Sequence, residues 1–168
     1  QRVKKISVML LGQGLNATIA LLMMPYLARS FSKIDYASYG QSLLVVMTTA
    51  SIIVAIFNKS LYLFLARDED SPSTIISGNL FTALLVSLTA FSSIYLIAPQ
   101  IAQVFGNLEL TDFIRLYAIS IPFVVGYNII NAYMIFHGKV KASSLISVLS
   151  NLIKVTLLLV AIQYFKSI

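Results

Sequence analysis

Lys154 is the residue in this sequence best placed to do chemistry. It is the twelfth residue of a 23-residue apolar run, Ser143–Phe165, and a helix of that length would set its Cα near the centre of a bilayer. A lysine at that depth costs about 2.5–3.5 kcal/mol on insertion scales, so it should face a water-filled cavity or a polar partner. Snorkelling does not resolve the problem, because the amine would have to climb roughly 15 Å, half the thickness of the hydrocarbon core. On the same run Ser143, Ser147, Ser150, Asn151 and Lys154 cover one arc of about 100° at 3.6 residues per turn.

Other apolar runs carry amides and hydroxyls in similar stripes. Gly12, Gln13, Asn16 and Ala20 fall together, as do Gln41, Thr48, Ser51, Ala55 and Lys59. Asn79, Ala83, Ala90 and Ser93 form a third stripe, and Tyr117, Ser120, Asn128 and Asn131 a fourth. Two explanations compete. Small residues let membrane helices approach, and Ser or Asn bonds across the contact; alternatively, the amides line a cavity, which removes their cost in lipid. For the mostly small third stripe, packing is the simpler reading. Asn128 and Asn131 are also natural structural partners for Lys154.

All six acids, Asp35, Asp68, Glu69, Asp70, Glu109 and Asp112, lie between the apolar runs or at their ends. No carboxylate is offered for a proton or sodium relay in mid-membrane. Amides, hydroxyls and one ammonium suit an anionic, hydrogen-bonding cargo. Asp68-Glu69-Asp70 points around a turn and reads as a solvated cap, not a metal site. With no cysteine and one histidine, His137, neither a thiolate nor a His-rich metal centre is expected. No catalytic triad, phosphate loop or zinc-protease motif is present, so no catalytic residue and no cofactor is expected.

The elements that must position these residues are membrane helices. Of 168 residues 58% are hydrophobic and 11% charged, with mean hydropathy +0.88, whereas a soluble domain carries about a quarter charged residues. Five runs reach spanning length: Ile6–Ala28, Tyr39–Phe57, Ile75–Ala98, Phe113–Phe136 and Ser143–Phe165. They predict an all-α polytopic bundle and a single transmembrane domain over 1–168, with the second helix able to continue through Leu61–Leu65. Ser71-Pro72 predicts an N-cap with proline at the first helical position. Pro99 is expected to close the third span and Thr111-Asp112 to cap the fourth. Gly106-Asn107 marks a turn, and His137-Gly138 a helix end. The chain opens on Gln1 and not Met, so a longer natural protein is expected. The basic opening, Arg2 to Lys5, has no cleavage site after it and reads as the lead-in to a retained span.

The net charge of +6 comes from basic residues between the spans, which argues for orientation in a membrane and against nucleic acid. With the N-terminus in the cytoplasm, that side holds Arg2, Lys4, Lys5, Lys59, Arg67, Lys139 and Lys141. The other side holds Arg29, Lys33, Arg115 and Lys166. The bias favours this orientation.

From Ile6 to Arg67 the order of features resembles a known family. A basic N-terminus leads into Leu11-Gly12-Gln13-Gly14-Leu15-Asn16, then Pro25-Tyr26-Leu27-Ala28-Arg29, a short loop and Tyr36-Ala37-Ser38-Tyr39-Gly40. Arg115-Leu116-Tyr117 and Ile121-Pro122 continue the pattern. These features are similar to the O-antigen (Wzx-type) polysaccharide-unit flippases of the multidrug/oligosaccharidyl-lipid/polysaccharide exporter superfamily. The resemblance implies two lobes of helices around a cavity. It also implies alternating-access transfer of an undecaprenyl-diphosphate-linked repeat unit across the bacterial inner membrane. The chain would then cover most of an N-terminal lobe, without a sixth helix or second lobe, and would not transport alone. The family's cationic cavities would be served by Lys154, with Arg29 and Arg115 at the periplasmic end and Asn151, Asn128, Asn131, Asn16 and Gln13 as polar lining. Polysaccharide polymerase and chain-length proteins are the implied partners. Pro25 would give the first helix a bend point.

Three other functions compete with this reading. A cation-coupled multidrug exporter of the same fold would need intramembrane carboxylates. An enzyme of lipid-linked sugar metabolism would need spaced aspartates at a membrane face. A structural membrane subunit would need no central charge.

Overall fold

The computed structural model describes residues 2–67 and 71–150, with 152 and 156. Among these residues the structure is all helix, joined by short turns. The helices are α1 (Arg2–Ser30), α2 (Lys33–Arg67), α3 (Pro72–Val104), α4 (Leu110–Ala118), α5 (Ser120–Phe136) and α6 (Val140–Ser150). The chain divides into two compact units, 1–33 with 137–168, and 34–136.

Three of these stretches are long and apolar enough to cross a membrane: α2, α3, and α4 with α5 taken together. They contain the second, third and fourth predicted spans. The first predicted span falls on α1, whose 29 residues would extend about 43 Å at 1.5 Å per residue. The fifth begins in α6, and most of its remainder lies outside the described residues.

The core of the unit 34–136 follows from residue spacing. On α2, Ser38, Ser42, Val46, Ala50, Ile53, Leu61 and Leu65 are buried at intervals of three, four and eight, the repeat of one helix face. On α3 the buried face is mostly small: Asn79, Ala83, Ser87, Ile94, Ala98 and Ala102. Small side chains let α4 and α5 pack closely on α3, where Leu110, Ile114, Ala118, Ile121, Val125 and Ile129 are fully buried. Packing therefore accounts for Asn79 and Ala83 of the third stripe. Ser93, by contrast, is exposed and its hydroxyl donates to Thr89 O of its own helix.

Helix ends follow sequence chemistry at three places and depart from it at three. Ser71 is the N-cap of α3, its side chain accepting from Thr74 N, with Pro72 at the first helical position. Gly106 and Gly138 adopt φ of 65° and 72°, the left-handed region that glycine enters without steric cost. Pro99, however, does not close α3, which runs on to Val104. Proline removes only the bond to residue i−4, and the packed Ala98 and Ala102 hold the helix on line. Thr111 and Asp112 do not cap α4: the N-cap is Glu109, without a side-chain bond. The fourth span is broken at Ile119, because Pro122 has no N–H for the carbonyl of Ala118. Ser120 Oγ donates to Tyr117 O (2.7 Å) at the break.

Candidate functional site

The polar residues of α2 divide between two faces. Ser38 and Ser42 are buried with the core, and Ser42 Oγ donates to Tyr39 O within its own turn. Thr48, Ser51, Ala55 and Lys59 are exposed, roughly opposite Val46, Ala50, Ile53 and Leu61 on the helical wheel. Exposed Ile52 and Ile56 flank this stripe. The stripe does not serve the unit's own core. Exposed hydroxyls can donate within their own helix, as Ser93 does, but the ammonium turned away from the core needs water, a polar ligand or another polar helix.

Two amide oxygens deeper in the hairpin of α2 and α3 are orphaned. Asn79 is 8% exposed, and its Nδ2 donates to Phe57 O (3.3 Å) across the helix pair. Its Oδ1 and that of Asn58 are buried with no donor among the described residues. Phe57 O lies in the middle of α2, where it already accepts within the helix, so the Asn79 amide adds a second donor to one acceptor.

At the opposite end of this unit a polar cluster ties the turn after α3 to the start of α2. Asn107 Nδ2 donates to Ser38 Oγ (2.7 Å) and more weakly to Gln41 Oε1 (3.4 Å). Tyr39 meets Tyr117 edge-on, with ring centroids 5.5 Å apart. Nearby, Arg115 Nε donates to Tyr95 O (3.4 Å), and its guanidinium lies 5.1 Å from the centre of the Tyr95 ring. Tyr95 is four residues before Pro99, so its carbonyl has lost its helical donor, and Arg115 supplies one.

The predicted site residues are distributed as follows. Asn128 is half-buried on α5 with its amide turned back to Val124 O (2.8 Å). Asn131 is half-buried one turn later and is engaged in a contact of its own. Arg115 is half-buried against Tyr95. Gln13 and Arg29 are exposed on α1, Arg29 in its last turn. Asn16 lies on α1, but its side chain is outside the description. Asn151 and Lys154, and with them the pairing of Lys154 to Asn128 or Asn131, lie outside the described residues. So does Asp68-Glu69-Asp70. No group of three His, Asp or Glu side chains able to hold a metal occurs among the described residues.

Sequence reasoning placed Asn107 in a turn but missed its bond to Ser38, and it missed Asn58 and the partnership of Tyr95 with Arg115. Only the last left a signal, a proline four residues after an aromatic.

The family model described as polysaccharide biosynthesis protein matches residues 2–168. Neither a curated protein nor a solved structure matches the chain.

Proposed function

We infer, because the chain belongs to the polysaccharide biosynthesis protein family, that it forms part of a flippase carrying a lipid-linked oligosaccharide across a bacterial inner membrane. The cargo would be an undecaprenyl-diphosphate-linked repeat unit, moved by alternating access with no covalent chemistry. The observation that carries this reading is the outward stripe Thr48, Ser51, Ala55 and Lys59 on an apolar helix of 35 residues. Hydroxyls and small residues offer a sugar hydrogen bonds and room, and the Lys59 ammonium offers a diphosphate a counter-charge.

The remaining residues extend the same reading. Asn128 and Asn131 would add polar lining within the same unit, and Gln13, Asn16, Arg29, Asn151 and Lys154 would be further substrate contacts. The N-terminus would face the cytoplasm, with polymerase and chain-length proteins as partners on the far side.

The test is restoration of surface polysaccharide in a flippase-deficient strain by the full-length gene, with membrane levels checked by blot. Lys59→Arg should retain most of the activity and Lys59→Leu should lose it at normal abundance. A wild-type protein that reaches the membrane, restores nothing and instead lowers drug sensitivity would replace this reading with the multidrug exporter.

A further inference from the structure

The Arg115–Tyr95 pair stands apart from the outward stripe of α2 and has a chemistry of its own. Taken as one crossing, Leu110–Phe136 is 27 residues long, about 40 Å at 1.5 Å per residue. Phe123 is its midpoint, and Arg115 lies eight residues, about 12 Å, from that centre. The hydrocarbon core extends about 15 Å to each side. The Arg115 Cα is therefore just inside the apolar layer, within one side-chain length of the phosphate level.

The guanidinium is held there by three features. Pro99 leaves the Tyr95 carbonyl without its helical donor, and Nε approaches it at 3.4 Å, a long contact to an otherwise open acceptor. The Tyr95 ring lies against the guanidinium, a cation–π contact that strengthens where water is scarce. Phe91 in turn packs edge-on against Tyr95, with centroids 5.9 Å apart. Among the described residues no ion pair engages Arg115; Asp112, one turn nearer the water on the same helix, is exposed and makes none with it. Nε is engaged, and among the described residues the two Nη atoms, the fork that binds phosphate bidentately, have no protein acceptor.

Toward the membrane centre the same side of the helix pair is mostly apolar; the exposed Ser92 between Tyr95 and Leu88 donates its hydroxyl to Leu88 O of its own helix. Leu88 lies two turns below Tyr95, and Ile119 and Phe123 one and two turns below Arg115; all three are exposed, Phe123 at 73%. Acyl chains fit this surface, and the headgroup they carry would lie at the level of the fork.

We propose that Arg115, fixed by Tyr95, binds the phosphate of a bilayer glycerophospholipid in the leaflet on the side of the 105–109 turn, with Leu88, Ile119 and Phe123 under its acyl chains. This is a lipid-facing site and not part of the substrate path. A lipid-linked diphosphate shares the phosphate chemistry, so the experiment separates the two sources.

The full-length protein, purified in mild detergent and shown monodisperse, is titrated with phosphatidylglycerol. Retained lipid is read by native mass spectrometry and affinity by a fluorescent phosphatidylglycerol. Arg115→Gln should weaken binding about tenfold, as expected for loss of a bidentate charged contact. Tyr95→Leu, which keeps the carbonyl but loses the ring, should weaken it about threefold. Arg115→Lys keeps charge without the fork and should also lose about threefold. Diacylglycerol, which lacks the phosphate, should not compete, and neither should inorganic pyrophosphate, which lacks the chains. Unchanged binding in Arg115→Gln, or a lysine equal to arginine, would overturn the site. Competition by pyrophosphate would reassign Arg115 to the substrate's diphosphate.

Discussion

Replacing Asn107 with alanine tests how the turn after α3 is held. The Asn107 amide makes a 2.7 Å bond to Ser38 Oγ, and Ser38 is fully buried. A net hydrogen bond contributes about 1 kcal/mol, and a buried polar group left without its partner costs about 1–3 kcal/mol more. The second bond, to Gln41 at 3.4 Å, is too long to add much. Asn107→Ala should therefore lower stability by about 2 kcal/mol. Ser38→Ala should cost about 1 kcal/mol, because the amide keeps Gln41 and the half-open turn. If the two groups act through each other, the double variant will not lose the sum, and the cycle should show a coupling of about 1 kcal/mol. The assay is equilibrium unfolding of the full-length protein in mixed micelles, followed by tyrosine fluorescence. Strict additivity of the two single losses would refute the contact as the cause.

Three further outcomes are expected. A Cβ at Gly126 would meet Leu84 Cδ2 at 3.6 Å and Leu80 Cδ1 at 3.9 Å, so Gly126→Ala should stabilise by about 0.5–1 kcal/mol, whereas Gly126→Leu should cost about 1–3 kcal/mol by overpacking; thermal unfolding decides. In the transport assay Lys154→Arg should retain part of the activity and Lys154→Gln lose most of it at normal membrane levels, while full activity in Lys154→Gln would leave a packing residue. For topology, a cysteine at Leu108, which is exposed and spares the Asn107 bond, should react with an impermeant thiol reagent outside intact cells, and one at Lys139 should not; the reverse pattern would invert the orientation.

The all-helical membrane fold was legible because its signals are local. Long apolar runs, the Ser71-Pro72 start, and the glycines at 106 and 138 each act within a few residues. What escaped was set by neighbours in space. Asn107 and Ser38 are far apart in sequence, and nothing in either segment announces the other. Pro99 read as a stop signal because its missing N–H was counted and the hold of Ala98 and Ala102 on the packed face could not be. Thr111 and Asp112 have capping chemistry, yet with Leu110 buried the cap falls at Glu109, two and three residues earlier. At the candidate site, periodicity placed Gln41, Thr48, Ser51, Ala55 and Lys59 on one side of α2, and only packing shows that all but the half-buried Gln41 are turned from the core.

The carbonyl that Pro99 leaves unbonded links two positions that a sequence comparison would treat as unrelated. Alanine at 99 is the better helix former, and within α3 alone it looks like an improvement. It would return an N–H to the Tyr95 carbonyl and displace Arg115 from its acceptor, so the benefit on one helix is a loss on the next. Proline at 99 and arginine at 115 should therefore be inherited as a pair. In lineages where one has drifted, the other is released from its constraint.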